Sequence, residues 1–522
     1  MASSSAHADS GPEEEQIAVL GFLRSEGTFA AGETAQEIDT HAASIFLAGN
    51  YAWKLKRAVS FGYLDFSTID RRRDALLAEH LLNRRTATDI YLDVVAVTRD
   101  SAGHLLIGGT GEPVDWLLRM RRFPDDALLV RLAKQGMLGF DILTRLADRV
   151  VGFHADAEIA HCENAAARFK AVIDGNVASL ASYPEILIPD IAYSLCRRQR
   201  SSASALSTLL DDRGRAGRVR HAHGDLHLAN IAMIDGEPTM FDCLEFSTEL
   251  ATIDVLYDIA FLIMDLWQRG MRTEANVVFN RYLDLSPADE GGVAVMPLFV
   301  SVRATVRAHV MAAQAVRAGN DPELVAQARA YLDLAVMAMD DARPRLVAIG
   351  GLSGTGKSSL ARSIGGDVGR VPGARILRSD VLRKRLAGVA SETRLTASTY
   401  TAAAADRVYK ALDAAALATL ASGQAVIADA VFAPLAEREA IENVAKAASC
   451  RFDGVWLMAS DRTRQTRITQ RRADASDADA KVALAQSHLN IGDLSTWRSL
   501  SADGELDAGA AELCALLAIS SP

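Results

Sequence analysis

Cysteine is scarce in this chain, five in 522 residues. Cys162, Cys196, Cys243, Cys450 and Cys514 are scattered, odd in number and form no C-x-x-C pair. Neither a disulfide framework nor a zinc site is indicated, and free thiols suit a reducing cytoplasm. The opening residues, Met-Ala-Ser-Ser-Ser-Ala-His, carry neither the basic start nor the apolar stretch of a signal peptide. Long hydrophobic runs are missing as well. The most apolar one, Val255 to Trp267, is broken by Asp258 and Asp265 and is too short to span a bilayer. The expectation is a soluble, cytoplasmic chain with no membrane partner. No internal repeat is present.

What is present is an ordinary globular composition, 49% hydrophobic and 23% charged, enough for a sizeable core. The length suggests about three or four domain-sized units. Charge is unevenly placed. Residues 341–522 hold 23 Lys+Arg and 20 Asp+Glu, whereas residues 1–340 hold 33 and 46. The acidic balance of 1–340 argues against general nucleic-acid binding there and is compatible with a cationic substrate; for 341–522 nucleic acid stays possible.

The sharpest motif is Gly351-Leu352-Ser353-Gly354-Thr355-Gly356-Lys357-Ser358, which fits G-x-x-x-x-G-K-[ST] at every fixed position. A strand-like run, Arg345 to Ile349, precedes it, and Ser359 to Ile364 can continue as a helix. Gly351, Gly354 and Gly356 let the chain wrap so that backbone N–H groups from Ser353 to Ser359, Thr355 among them, point at phosphate oxygens. The helix N-terminus adds its partial positive charge. Lys357 then reaches the β/γ-phosphates, and the Ser358 hydroxyl is a ligand for Mg²⁺. The expectation is a site for ATP.

Earlier in the chain, Ser44 to Ala48 and Tyr51 to Ala58 read as strands around a Gly49-Asn50 turn, with Lys54 and Lys56 on one face. Asp70 to Arg85 reads as a helix that carries Glu79. Tyr91 to Arg99 and His104 to Gly108 read as further strands, and beyond Pro124 the pattern becomes helical over 128–135, 140–155, 164–177, 253–267 and 296–339. Two short strand-like pieces flank Asp235-Gly236.

His223-Gly-Asp225-Leu-His-Leu-Ala-Asn230 has the spacing H-x-D-L-x-x-x-N, and Asp242 follows the Asp235-Gly236 turn at a strand end. A hydroxyl attacking a γ-phosphoryl needs a carboxylate to orient it and take its proton, which is the role Asp225 can fill. Asn230 and Asp242 are oxygen ligands for Mg²⁺. A lysine steered by a helical glutamate must meet the α/β-phosphates, and Lys54 or Lys56 with Glu79 fits. His227 receives no role.

On these residues, His223-Gly-Asp-Leu-His and Phe241-Asp242, residues 35–310 resemble the aminoglycoside phosphotransferase and choline-kinase-like branch of the protein-kinase fold. The resemblance implies an α+β bilobal kinase domain over 16–340, with a small lobe at 16–120 and a helical lobe at 121–340; residues 1–15, rich in Ser, Ala and Glu, read as a disordered tail. Two departures stand out. No G-x-G-x-x-G precedes Lys54, so Thr40 to Ser44 must cover the phosphates, and Asp242 is followed by Cys-Leu-Glu in place of Phe-Gly.

After the phosphate loop, Ala374 to Asp380 reads as a strand with Asp380 at its carboxyl end, and Gln424 to Asp429 as another, Asp429 being placed for the Mg²⁺ shell. Phe452 to Met458 reads as a fourth strand. Arg467 and Arg471, four apart, would share one helix face as a pair of lid arginines. Residues 343–520 resemble the small P-loop kinases, such as gluconate kinase and the kinase part of polynucleotide kinase. The resemblance implies an α/β P-loop domain with a parallel sheet over 341–522, in which Asp380 positions or deprotonates the acceptor hydroxyl. The whole arrangement resembles bacterial fused aminoglycoside phosphotransferase and ATP-binding proteins.

The expectation is therefore two phosphotransferase domains using MgATP on small-molecule hydroxyls. Two rivals are one kinase regulated by a non-catalytic nucleotide sensor, and a P-loop half acting on nucleic-acid 5′-hydroxyls. Asp429 is followed by Ala430, without the acidic pair of an ATPase motor, and the arginines lie in cis, which favours a kinase.

Overall fold

The computed structural model describes residues 12–29, 32–40, 42–61, 64–396, 399–470, 475–479, 483–484 and 486–518. The chain divides into two compact units, one of 1–142, 152–159 and 220–253, the other of 143–151, 160–219 and 254–522.

In the first unit six strands form a wholly antiparallel sheet, ordered Gln36–Asp39, Ala43–Ala48, Tyr51–Lys56, Glu112–Arg121, Tyr91–Arg99, Leu105–Ile107. Both faces are covered. Helix Pro12–Arg24 places Val19 and Leu23, four apart, against Phe46, Trp53 and Leu117. Helix Ile69–Asn83 contributes Leu76 to a second cluster with Tyr91, Leu118, Ala232 and Ile234. Burial of Val19 and Leu23 explains a correction. The helix begins at Pro12, inside the stretch 1–15 expected to be a tail, because its apolar stripe has a sheet to cover. Strand Glu112–Arg121 had no strand signature, since Leu117 and Leu118 are adjacent and both fully buried. A strand with cores on both faces loses its alternation. The Asp235-Gly236 hairpin forms between Ile231–Ile234 and Glu237–Met240, with positive φ of 51° and 84° at its two turn residues.

The second unit opens with helices, among them Ala165–Ala181, Pro189–Ala205, Val255–Gln268, Arg272–Leu285, Met296–Arg317 and Pro322–Ala338. Helix Val255–Gln268 is buried from Val255 to Trp267, which is why its sequence is nearly all apolar. Among the described residues, Pro287–Arg317 is long and apolar enough to cross a membrane by length and composition; 72% of its most apolar window is buried inside the protein.

From Arg345 the same unit continues as an all-parallel five-stranded sheet, ordered Arg375–Arg378, Val426–Asp429, Arg345–Gly351, Arg451–Met458, Trp497–Ser501. Apolar clusters cover both faces, as parallel strands require. The phosphate loop leaves the carboxyl end of the central strand, where strand order reverses and ligands bind in such sheets. Two details differ from the sequence reading. A fifth strand, Trp497–Ser501, extends the sheet, and the second strand stops at Arg378. Asp380 therefore does not end a strand; it sits in the first turn of helix Ser379–Leu386.

Candidate functional sites

In the first unit, alternation along Tyr51–Lys56 sends Lys54 and Lys56 to one face, where both meet Glu79. Lys54 Nζ lies 2.7 Å from Glu79 Oε1 and 3.0 Å from Asp242 Oδ1. Lys56 Nζ lies 2.6 Å from Glu79 Oε2 and 2.5 Å from Glu245 Oε1. Glu79 is fully buried. Burial alone would raise its pKa, but the two ammonium groups outweigh it and hold the carboxyl below the ordinary glutamate range. Lys54 shows the mirror case. Burial opposes its charge, yet Asp242, Glu79 and Glu245 hold its pKa well above that of a free lysine. Burial, with the charges of Glu79 and Asp242, pushes Glu245 up despite Lys56.

Asp242 is held in a left-handed conformation, φ 61°. Its backbone N–H donates to the Tyr91 hydroxyl at 3.1 Å, and the next N–H, of Cys243, donates to Asn83 Oδ1 at 2.8 Å. Asn83 in turn donates to the Glu79 carbonyl at 2.9 Å, so the helix that carries Glu79 also fixes the Asp242 turn. The carboxylate of Asp242 stays 42% exposed, open to a ligand.

The loop 223–230 is tied to this turn by backbone. The Phe241 N–H donates to the Asn230 carbonyl and the Leu244 N–H to the His223 carbonyl, both at 2.9 Å. Asn230 Nδ2 donates to Asp225 Oδ2 at 2.9 Å and to its carbonyl at 3.0 Å, which orients the carboxylate. His227 Nδ1 accepts the Ala229 N–H and caps a short 3-10 turn, and its Nε2 lies 3.4 Å from Asp225. Lys54, Lys56, Glu79, Asp225, Asn230 and Asp242 thus lie in one connected network. Glu245 and Tyr91 belong to it without having been singled out. Glu245 is the last residue of Asp-Cys-Leu-Glu, the tetrapeptide in which this chain departs from Asp-Phe-Gly.

In the second unit, Gly351, Gly354 and Gly356 adopt φ of 140°, 86° and 96°. A Cβ at Gly354 would come within 2.6 Å of the Arg464 carbonyl, so the loop admits no side chain there. Helix Lys357–Gly365 starts directly behind it. Ser358 Oγ donates to Asp429 Oδ2 at 2.5 Å. Lys357 Nζ donates to the Leu352 carbonyl at 3.2 Å, and Thr355 Oγ1 to the same carbonyl at 2.9 Å. Arg464, not singled out in the sequence, braces the loop through the Ser353 carbonyl at 2.9 Å.

These residues line a cavity of about 980 Å³, with Ser353 to Ser359, Asp380, Asp429 and Arg467 in its wall. Arg467 Nη1 donates to the Thr355 carbonyl at 3.0 Å. Arg471 lies outside the described residues. Burial, joined by the charge of Asp429, raises the pKa of Asp380 against the pull of Arg378, Lys357 and Ser476. Beyond the expected set, the wall contains Arg383, Arg394, Tyr400 and Asp477. Arg383 stands one helical turn after Asp380, whereas Arg394, Tyr400 and Asp477 come from other segments that only the fold brings to the wall.

The fold and the two sites define the class: an α+β domain built on an antiparallel sheet, followed by an α/β P-loop domain with a parallel sheet. Residues 346–488 match the family described as AAA domain. Over 456 residues the chain is 30% identical to an uncharacterized protein of Mycobacterium tuberculosis, an alignment spanning 86% of this chain and 88% of that one. An uncharacterized protein of Mycobacterium bovis matches with the same identity and coverage. The chain belongs to the family of these mycobacterial proteins. Among solved structures, a gluconokinase from Sinorhizobium meliloti matches at 19% identity and TM-score 0.24, covering 34% of this chain and 99% of its own. A choline/ethanolamine kinase family protein from Mesorhizobium loti matches at 12% identity and TM-score 0.36, covering 62% and 99%.

Proposed function

We propose that this chain is an ATP-dependent phosphotransferase with two sites, each transferring the γ-phosphoryl of ATP to a hydroxyl group of a small molecule. The observation that carries the reading is the joining of Lys54, Glu79 and Asp242 to the Asp225–Asn230 pair through shared backbone hydrogen bonds. In the first site Lys54 is the phosphate-binding lysine. It reaches Asp242, whereas Lys56, only 3% exposed, is enclosed between Glu79 and Glu245. Asp225 accepts the proton of the acceptor hydroxyl as the new oxygen–phosphorus bond forms. The bond from the γ-phosphorus to the β,γ-bridging oxygen breaks, and ADP leaves.

In the second site Lys357 and the loop N–H groups hold the phosphates, Asp380 takes the hydroxyl proton, and Arg467 offers positive charge at Thr355. Arg471 is proposed as its partner on the lid.

The donor set at both sites suits Mg²⁺. Asp242 and Asn230 Oδ1 in one, and Ser358 Oγ beside Asp429 in the other, are hard oxygen ligands. Among the described residues no group of three or more His, Cys, Asp or Glu forms a metal cage, and a cation taking its other ligands from phosphate and water needs none. When bound, Mg²⁺ neutralises the charge developing on the transferred group. We place the protein in the cytoplasm, with small-molecule acceptors for both sites and nucleic acid as an alternative acceptor for 341–522 alone.

The test is calorimetric titration of the full chain with a non-hydrolysable ATP analogue, paired with ADP release over a panel of hydroxyl compounds. Two nucleotides per chain are expected, with Asp242→Ala and Lys357→Ala each removing one. Asp225→Asn should keep the first nucleotide yet lower transfer there by about 10²-fold or more. A Lys357→Ala variant that also loses transfer at Asp225 would mean that the P-loop half is a regulator.

A further inference from the structure

The N–H of Ser353, expected from the sequence to point at phosphate, donates instead to Gln486 Oε1 at 2.7 Å. Gln486 lies 133 residues further along, in a helical turn where the Ser487 N–H donates to the Ala483 carbonyl at 3.2 Å. Arg464, 2% exposed, ties that turn to the phosphate loop. Its Nε donates to the Ser353 carbonyl at 2.9 Å, its Nη2 to the Ala483 carbonyl at 2.8 Å and its Nη1 to Ser487 Oγ at 2.9 Å. Ser487 Oγ in turn donates to Asp461 at 2.8 Å. A buried guanidinium that commits three nitrogens to this joint fixes where the Gln486 side chain stands.

The direction of the amide follows from chemistry. A backbone N–H only donates, so the atom that meets it is the carbonyl oxygen, and the NH₂ end takes the other direction. Gln486 forms part of the wall of the cavity that Lys357, Asp380 and Asp429 share. Its Nε2 meets no acceptor among the described residues.

Its place along the loop identifies the phosphate. The N–H groups of such a loop cradle the α/β-phosphates, and its lysine spans β and γ. Lys357 Nζ lies 3.2 Å from the carbonyl of Leu352, the neighbour of Ser353. Ser353 and Gln486 therefore sit at the γ end of the loop.

We propose that Gln486 Nε2 is a catalytic hydrogen-bond donor of the P-loop site, bound to an oxygen of the γ-phosphoryl group. The assignment rests on the phosphotransferase reading of that site. The amide works as a relay: accepting the Ser353 N–H polarises it and strengthens Nε2 as a donor. The loop thus gains a donor from a distant segment, aimed at the equatorial oxygens over which charge spreads in transfer. Gln486 carries no proton and forms no covalent bond, so the proton still passes to Asp380 and ADP still leaves.

The experiment uses the full chain carrying Asp242→Ala, so that the P-loop site is read alone. It is titrated with ADP and with the β,γ-imido analogue of ATP, both with Mg²⁺. Gln486→Leu keeps the bulk and loses both hydrogen bonds. Gln486→Glu keeps an acceptor for Ser353 but turns a negative oxygen toward the γ-phosphate. Relative to ADP, affinity for the triphosphate analogue should fall about tenfold to a hundredfold in Gln486→Leu, and further in Gln486→Glu. ADP affinity should stay within about twofold of the parent, which also reports an intact loop. An unchanged ratio in Gln486→Leu, equal losses for both nucleotides, or a Gln486→Glu chain with the parent ratio would each overturn the assignment and leave a glutamine that only braces the loop. Tighter analogue binding in Gln486→Leu would overturn it as well, marking a side chain that blocks the site. Nucleotide binding that does not depend on Lys357 would instead bring down the phosphotransferase reading itself.

Discussion

Asn280 grips the backbone around Ile376 from two sides: its Oδ1 accepts the Ile376 N–H at 2.7 Å, and its Nδ2 donates to the Ala374 carbonyl at 3.0 Å. One turn earlier, Asn276 Nδ2 donates to the Ala374 and Pro372 carbonyls at 2.9 and 3.1 Å. Strand Arg375–Arg378 is an edge of the parallel sheet, with unpaired backbone on one side. Helix Arg272–Leu285 supplies amide side chains where a further strand would supply main chain, which blunts that edge. Arg375 seals the contact. It is 1% exposed and pairs with Asp284 at 2.7 Å and Glu290 at 2.6 Å.

This contact makes the phosphate-loop sheet depend on helix Arg272–Leu285. Arg375→Met should destabilise the chain by about 1–3 kcal/mol, because Asp284 and Glu290 would keep their charge in a half-buried site without the main partner. An excised 341–522 fragment should unfold at lower urea than the same residues in the full chain, and should associate through the bared edge. The pH dependence has a definite sign. Burial pushes Glu290 up, but Arg375 and Arg385 outweigh it and hold the pKa below the ordinary glutamate value. That stabilisation is present above the unfolded pKa and is lost as pH falls through the folded one. The gap between wild type and Arg375→Met should therefore narrow in acid. Urea midpoints measured across pH check both statements, and a gap that widens in acid would count against the ion pair.

The two lysines of strand Tyr51–Lys56 should separate cleanly. Lys54→Met is expected to remove nucleotide binding at the first site, because it takes away the ammonium that reaches Asp242. Lys56→Met should act on stability, by about 3–5 kcal/mol, because Glu79 and Glu245 would then share a buried site with a single cation. Nucleotide titration and urea unfolding of both variants decide it. A Lys56→Met chain of wild-type stability that no longer binds nucleotide would reverse the assignment.

The sequence made these sites legible to different depths. Local rules sufficed for the phosphate loop, since one glycine-rich turn between strand and helix contains nearly all of its chemistry. They sufficed also for the Asp225–Asn230 spacing and for Lys54 and Lys56 on one strand face. They did not separate Lys54 from Lys56, because that difference lies in Glu245, nearly two hundred residues away. Asp380 was placed at a strand end because Ile376 and Leu377 extend the apolar run, whereas its own turn is already helical. Strand Trp497–Ser501 went unseen because Trp497 and Leu500 are its only buried residues, too few for a period. Arg383 and Tyr400 meet only through folding, which no spacing reveals.

Asp380 offers a test in which activity and stability should move in opposite directions. Burial is the main influence on its carboxyl, Asp429 adds to it, and Arg378, Lys357 and Ser476 oppose; the net pKa is raised. The folded protein thus holds a proton on Asp380 more readily than the unfolded chain does. Below the ordinary aspartate pKa both states are protonated and the group costs nothing. As pH rises through the folded pKa the folded state must bury a charge, and the full cost is present above it. Asp380→Asn should therefore be more stable than wild type at neutral pH, with the gain vanishing in acid. In the proposed role of base at the P-loop site, the same carboxylate must be ionised to work. The acid limb of kcat/KM should lie above the ordinary aspartate value, and Asp380→Asn should transfer phosphate about 10²-fold more slowly while still binding ATP. A pH–rate profile and urea midpoints taken on the same two proteins read both effects. A slower variant that is also less stable at neutral pH would mark Asp380 as a structural residue of helix Ser379–Leu386 rather than the base.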